Sequence, residues 1–399
     1  MAALSPDAPM NSPASPPSLA RQLLPLMAVM VLVHLAFTGG RVALSLYAIA
    51  LHAPTVVVGL QVSLLSVLPM LLSVRLGRWI DRVGMKRPAR IGIATSAVGV
   101  ALPALWPTVP VLCLASTLLG SGFMLLHMTV YNEVGHSSTD QTRVRAFTLL
   151  ALAFSTSTVM GPVIAGIAID GIGHRWTFAL LVAFPLLALG VLVALRIRVA
   201  PRNAPGGVAG AGKVMDLLRN PRMRAVFIVS GLLSMAWDMF TFMVPVQGAR
   251  IGLSASTIGL IMGCFGVATF VVRLAMPLLQ RHLNEWQTLT VSLGVTAAVY
   301  LLFPLTTAVP LLLVLAFVNG LSLGSTQPMV MSLVHQVAPP GRSGEALGVR
   351  ATIMNASQVF LPILFGGLGS AAGMGPAFWT LAAILSGGTA YARRFSRTA

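Results

Sequence analysis

Asp238 is a carboxylate in an otherwise apolar stretch, and Arg41 is a guanidinium in another. A charge inside such a stretch is costly unless it is paired, faces water or, for the acid, takes up a proton. The acid can bind and release a proton as its surroundings change, whereas the arginine stays charged throughout. Polar groups accompany both. His34, Thr38 and Arg41 follow an i, i+4, i+7 spacing, which is one face of a helix. His127 and Tyr131 are likewise four apart, and Thr241, Asn319, Gln327, Asn355 and Gln358 add hydrogen-bonding groups to later apolar runs. Each histidine reads either as a proton site or as a hydrogen-bonded structural group. Glu133 stands at the inner end of its run and Asp170 at the outer end of another, which leaves Asp238 as the acid well inside a span.

Other chemistries lack their residues. There is no H-E-x-x-H and no paired carboxylate, so an enzyme is not expected. No G-x-x-x-x-G-K-[ST] loop is present for direct use of ATP. Cys113 and Cys264 both lie in apolar runs and read as small core residues, so neither a disulfide, a metal site nor a cofactor is expected. The sequon-like Asn355-Ala-Ser357 falls inside an apolar run, out of reach of glycosylation.

The elements that hold these groups follow from composition. Hydrophobic residues form 56% of the 399-residue chain and charged residues 9%, against about 25% charged in a soluble protein. Apolar runs near span length recur throughout, so an all-α integral membrane protein is expected, because lipid offers no partner to an open strand edge. Twelve helices fit, near 22–50, 54–76, 89–106, 109–134, 143–169 and 174–196, then 223–247, 255–280, 286–306, 309–336, 344–369 and 373–393. The formal charge of +17 is concentrated in alternate loops: Arg75, Arg78, Arg82, Lys86, Arg87 and Arg90 in one, Arg196 to Arg224 in another, and Arg393, Arg394 and Arg397 at the end. That bias places those loops and both termini in the cytoplasm and argues against a nucleic-acid partner. The expected location is the cell inner membrane, with both ends cytoplasmic.

The chain also repeats. Shifted by 200 residues, Gly59 falls on Gly259, Gly120 on Gly320, Pro162 on Pro362 and Gly166 on Gly366, with Gly173/Gly373 and Phe178/Phe378 in step. Glycine and proline punctuate backbone geometry, so their ordered match indicates two halves built alike. The expected organisation is a disordered tail at 1–21, a six-helix half at 22–196, a polar linker at 197–222, a second half at 223–393 and a tail at 394–399. Under the same shift Thr38 matches Asp238 and Arg41 matches Thr241, so the two buried charges lie about one turn apart in equivalent helices.

The segment Gly77-Arg-Trp-Ile-Asp81-Arg82-Val-Gly84-Met85-Lys86-Arg87 resembles the G-x-L-A-D-R-x-G-R-K signature of the major facilitator superfamily, with Trp79 in place of Leu and Met85 in place of the first Arg. Helix count, repeat and linker extend the resemblance over nearly the whole chain. It implies the fold of two pseudo-symmetric six-helix halves with a substrate site between them. It implies further that Asp81, with Gly77, Arg82, Gly84 and Lys86, latches the halves on the cytoplasmic face, near Glu133 and the start of the helix at Ser343. The other reading of Asp81 is a solvated loop charge. Gly161-Pro162-Val-Ile-Ala165-Gly166 is similar to the G-x-x-x-G-P-x-x-G-G motif of the superfamily's antiporters, and otherwise reads as a packing seam. The resemblance also makes the helices of Arg41 and Asp238 face one another. The two then either pair across the halves or snorkel separately to the surface.

Together these features predict a proton-coupled secondary transporter, expected to be monomeric, that exports a small organic molecule by antiport. Uptake of an organic acid by proton symport, with Arg41 holding the carboxylate, is the alternative. A non-transporting receptor or scaffold is a second alternative.

Overall fold

A computed structural model describes residues 19–137, 140–194, 214–279, 283–339 and 342–396. Much of the expected tail at 1–21, residues 197–213 of the linker and residues 397–399 therefore lie outside the described residues. The first half contains α1 (Leu19–Ala50), α2 (Thr55–Val83), α3 (Lys86–Leu105), α4 (Val109–Ser137) and α5 (Asp140–Ala194). The second contains α7 (Pro221–Arg250), α8 (Ala255–Leu279), α9 (Glu285–Leu302), α10 (Val309–Gly324), α11 (Thr326–Val337), α12 (Ser343–Ala372) and α13 (Met374–Ser396), preceded by the short α6 (Val214–Arg219).

Helix numbers and membrane crossings differ for local reasons. α5 doubles back at Gly173, whose φ of 80° only glycine adopts without strain, so it crosses twice. α10 and α11 form one crossing broken at Ser325, and α6, at six residues, is too short to cross. Twelve crossings result, in two pseudo-symmetric halves, and α1 begins on the face where α13 ends. We call this the terminal side and its opposite the loop side.

Several helix ends depart from the sequence expectation. α2 runs to Val83 rather than stopping near 76, so Gly77, Asp81 and Arg82 are helical and the loop narrows to Gly84 (φ 79°) and Met85. Leaving the apolar layer does not break a helix; a residue that must take positive φ does. The expected linker contains α6, and α7 starts at Pro221 because Asn220 caps it, accepting from the Arg222 and Met223 backbone amides at 3.0 and 3.3 Å. α13 carries on to Ser396, into the expected tail.

On the loop side the halves are sealed by two matching seams. Gly59 of α2 lies against the Pro362 carbonyl of α12, and Gly259 of α8 against the Pro162 carbonyl of α5. Gly366 and Gly166 complete the seams against Thr55 and Ala255. At each of these positions a Cβ would meet backbone atoms within 3 Å, so only glycine permits the approach. Each seam is also capped. The Ala255 and Ser256 amides at the start of α8 donate to the Asp170 carboxylate at 3.1 and 2.7 Å. In the twin seam the Val56 amide at the start of α2 donates to Ser370 at 2.9 Å. Arg250 adds a bond to the Thr55 hydroxyl at 2.6 Å and to the Gly369 carbonyl at 3.3 Å.

The Asp170 cap exists only while this side is shut. Losing a helix cap costs about 1 kcal/mol, roughly a fivefold shift between two states. Asp170→Ala is therefore expected to move the population toward a loop-side-open form. Dipolar distances between spin labels at the exposed Ile172 and Thr307 should lengthen; an unchanged distribution would show that the cap does not hold the seam.

Candidate functional site

Between the halves lies a cavity of about 440 Å³, a volume that suits a small-molecule ligand. Its floor is toward the loop side, beneath the seams. Among the described residues, the hydrogen bonds joining the halves nearest the terminal side are Ser66 to Gln358, at 3.0 Å, and Arg273 to Ser155, at 2.7 Å. Gln327 lines the cavity and is exposed, so the cavity opens in that direction.

Six of the expected polar residues line it: Arg41 from α1, His127 from α4, Asp238 from α7, Gln327 from α11, and Asn355 and Gln358 from α12. Asp238 is 5% exposed, and the Gln358 amide lies beside its carboxylate. Arg41 is close enough to interact with Asp238 electrostatically, but the two form no ion pair, and the Arg41 Nε is buried without a hydrogen-bond partner. The expected pairing across a closed face is thus not made here. Asp238 is engaged by a neighbour in its own half instead.

Other candidates lie elsewhere. Thr38 turns from the cavity to α5, where its hydroxyl donates to the Ser157 carbonyl at 3.0 Å, so the face shared by His34, Thr38 and Arg41 is divided between neighbours. His34 packs edge-on to Phe154 with centroids 4.6 Å apart and stacks on Phe123 at 5.2 Å, behind the cavity wall. Tyr131 stacks on His127 at 4.3 Å without lining the cavity. Thr241 donates to the Asp238 carbonyl at 2.8 Å, within its own helix. Asn319 is fully buried in α10, and Glu133 is buried near the terminal end of α4. Gly161 packs against Thr38 and Gly39 of α1, so the helix 5 motif serves both the α1–α5 contact and, through Pro162 and Gly166, the loop-side seam.

The sequence reading missed two arginines. Arg273 of α8 and Arg350 of α12 both line the cavity; the latter is 7% exposed and donates to the Ser230 hydroxyl at 3.0 Å. Both lie toward the terminal ends of their helices, where a basic residue reads as a topological marker. Aromatic wall residues Phe37, Phe123 and Trp237 were also not singled out.

Among the described residues, Asp81 makes no hydrogen bond or ion pair to α12. It is exposed in the last turns of α2 and accepts from the Asn132 amide of α4 at 3.1 Å, within one half. The expected contact with the α12 start is thus not made among the described residues. Asp81→Asn is expected to leave ligand binding nearly unchanged and to cut transport at least about tenfold, equivalent to losing about 1.4 kcal/mol from the closed state. Parallel binding and flux assays check it; full transport in the variant would remove Asp81 from the cycle.

Comparison with known proteins follows the same lines. A Bacillus subtilis (strain 168) protein, Multidrug resistance protein 1, is 26% identical over 324 residues, 79% of this chain and 81% of its own length. A POT family transporter solved with 5-aminolevulinic acid superposes with a TM-score of 0.78 at 15% identity, covering 95% of this chain and 96% of that one. A bacterial homologue of the human lysosomal transporter Spinster, inward-facing and occupied, gives 0.77 at 14% identity, covering 96% and 98%. The nucleoside transporter NupG gives 0.75 at 16%, covering 93% and 98%. At these identities the solved structures speak to the fold alone. The sequence model of the Major Facilitator Superfamily matches residues 26–309 and again 226–396. With a match over nearly its whole length, the chain belongs to the Major Facilitator Superfamily and is a membrane transporter of that family.

Proposed function

We propose that this transporter moves a small organic molecule by alternating access, couples the movement to protons through Asp238, and exports its substrate by antiport. One observation carries the coupling: among the described residues the cavity between the halves contains a single carboxylate, deeply buried and beside an arginine with which it forms no ion pair. Rocking the halves changes the hydration of Asp238 and its distance from Arg41, so its proton affinity alternates with conformation. Export is supported by the name of the Bacillus subtilis relative, Multidrug resistance protein 1, and by the Gly161-Pro162 motif at the loop-side seam. In this reading the terminal side faces the cytoplasm of a cell inner membrane, as the arginine-rich loops on that side favour. The unpartnered Arg41 Nε favours a second reading, inward movement by proton symport.

Purified protein in vesicles with an imposed proton gradient tests both. A panel of small organic compounds should include one whose flux collapses with the gradient. Flux opposite to proton flow supports export by antiport, and flux along it supports symport. A protein that binds compounds yet moves none would be a receptor and would end the proposal.

A further inference from the structure

We infer that the cavity selects a small organic anion with a flat apolar body, held by Arg41, Arg273 and Arg350. This rests on reading the cavity as the transport site. Among the described residues, three guanidinium groups line it against one carboxylate. Arg41 comes from α1, Arg273 from α8 and Arg350 from α12, so the positive groups surround the space from both halves. Arg41 lies deep and the other two nearer the opening, an arrangement that draws an anion inward.

None of the three is neutralised where it stands. Arg273 donates to the Ser155 hydroxyl and Arg350 to the Ser230 hydroxyl, while the Arg41 Nε donates to nothing. A guanidinium carries five donors, so one hydroxyl satisfies a fraction of them and cancels no charge. Asp238 offsets one arginine at most. Charges this far into a membrane protein are costly without a counterion, and arginine is well shaped to hold a carboxylate or a similar oxyanion in two bonds. A cationic ligand would add to the surplus and a neutral one would leave it. An anion relieves it. The rest of the wall sets the body of the ligand: Phe37, Phe123, Trp237 and Met354 present flat or pliable apolar surface.

The test uses the purified full-length protein and three probes of one shape: a naphthoate, the neutral naphthamide and the cationic naphthylmethylammonium, titrated calorimetrically. The naphthoate should bind at least about tenfold more tightly than the naphthamide, the return from one charge-assisted contact, and the cation should be the weakest. Arg273→Gln and Arg350→Gln should each erase about tenfold of that preference, and Arg350→Lys should keep most of it. The cation binding as well as the naphthoate overturns the inference, as does a naphthoate no tighter than the amide, undetectable binding included. The three-probe comparison on the unmodified protein decides the question even where a variant does not fold. No gradient is applied, so lack of proton coupling would sink the proposed function and leave the anion preference standing. Cation preference would do the reverse.

Discussion

Asp238→Asn is expected to abolish accumulation against a gradient while sparing energy-independent exchange. The substitution keeps size and hydrogen bonding beside Gln358 but removes the group that takes up the proton. Among the described residues no other carboxylate lines the cavity, so no second acid there can take over its role. The loss should be complete within error in vesicles carrying an imposed proton gradient. Counterflow of labelled against unlabelled compound, which needs only binding and rocking, should continue. Concentrative transport by the variant would place coupling elsewhere, with His127, His34 and Glu133 next in order.

Gly59→Val is expected to trap the protein with its loop side open. The new Cβ would run into the Pro362 carbonyl, and both are backbone-borne, so no rotamer change relieves the clash. The same holds for Gly259→Val against Pro162 in the twin seam. Each crossing brings two helices close enough for direct backbone contact, and forcing extra atoms into such a contact costs about 1–3 kcal/mol or more. Transport should fall to background while the two halves stay folded, because the atoms nearest each new Cβ belong to the other half. The Ile172–Thr307 label distance should shift wholly to its long population. A variant that still closes and transports would show that the seam tolerates separation.

How far the chain could be read depended on which signal each residue carried. Asp238 and Arg41 stood out because each is charged within an apolar run, and both line the cavity. Arg273 and Arg350 carry the same charge but sit near helix ends, where the positive-inside pattern already accounts for basic residues. Their spacing from those ends was the available signal: each is several residues inside its helix rather than at its edge. Thr38 shows the limit of face arithmetic. Spacing placed it with Arg41, yet which helix fills each side of α1 is a tertiary matter, and Thr38 faces α5. The glycine and proline repeat revealed two like halves. That Gly59 meets Pro362 while Gly259 meets Pro162, each pairing an element of one half with the other, emerges only when the halves are packed together.

Coupling through Asp238 is tested most directly by the proton itself. Vesicles containing the protein and a trapped pH indicator are given a gradient of a transported compound with no initial pH difference. Movement of the compound should drive a pH change in the lumen, with the sign distinguishing antiport from symport, and Asp238→Asn should drive none. A compound that crosses through the unmodified protein without any pH change, or an equal pH change in the variant, would contradict the account.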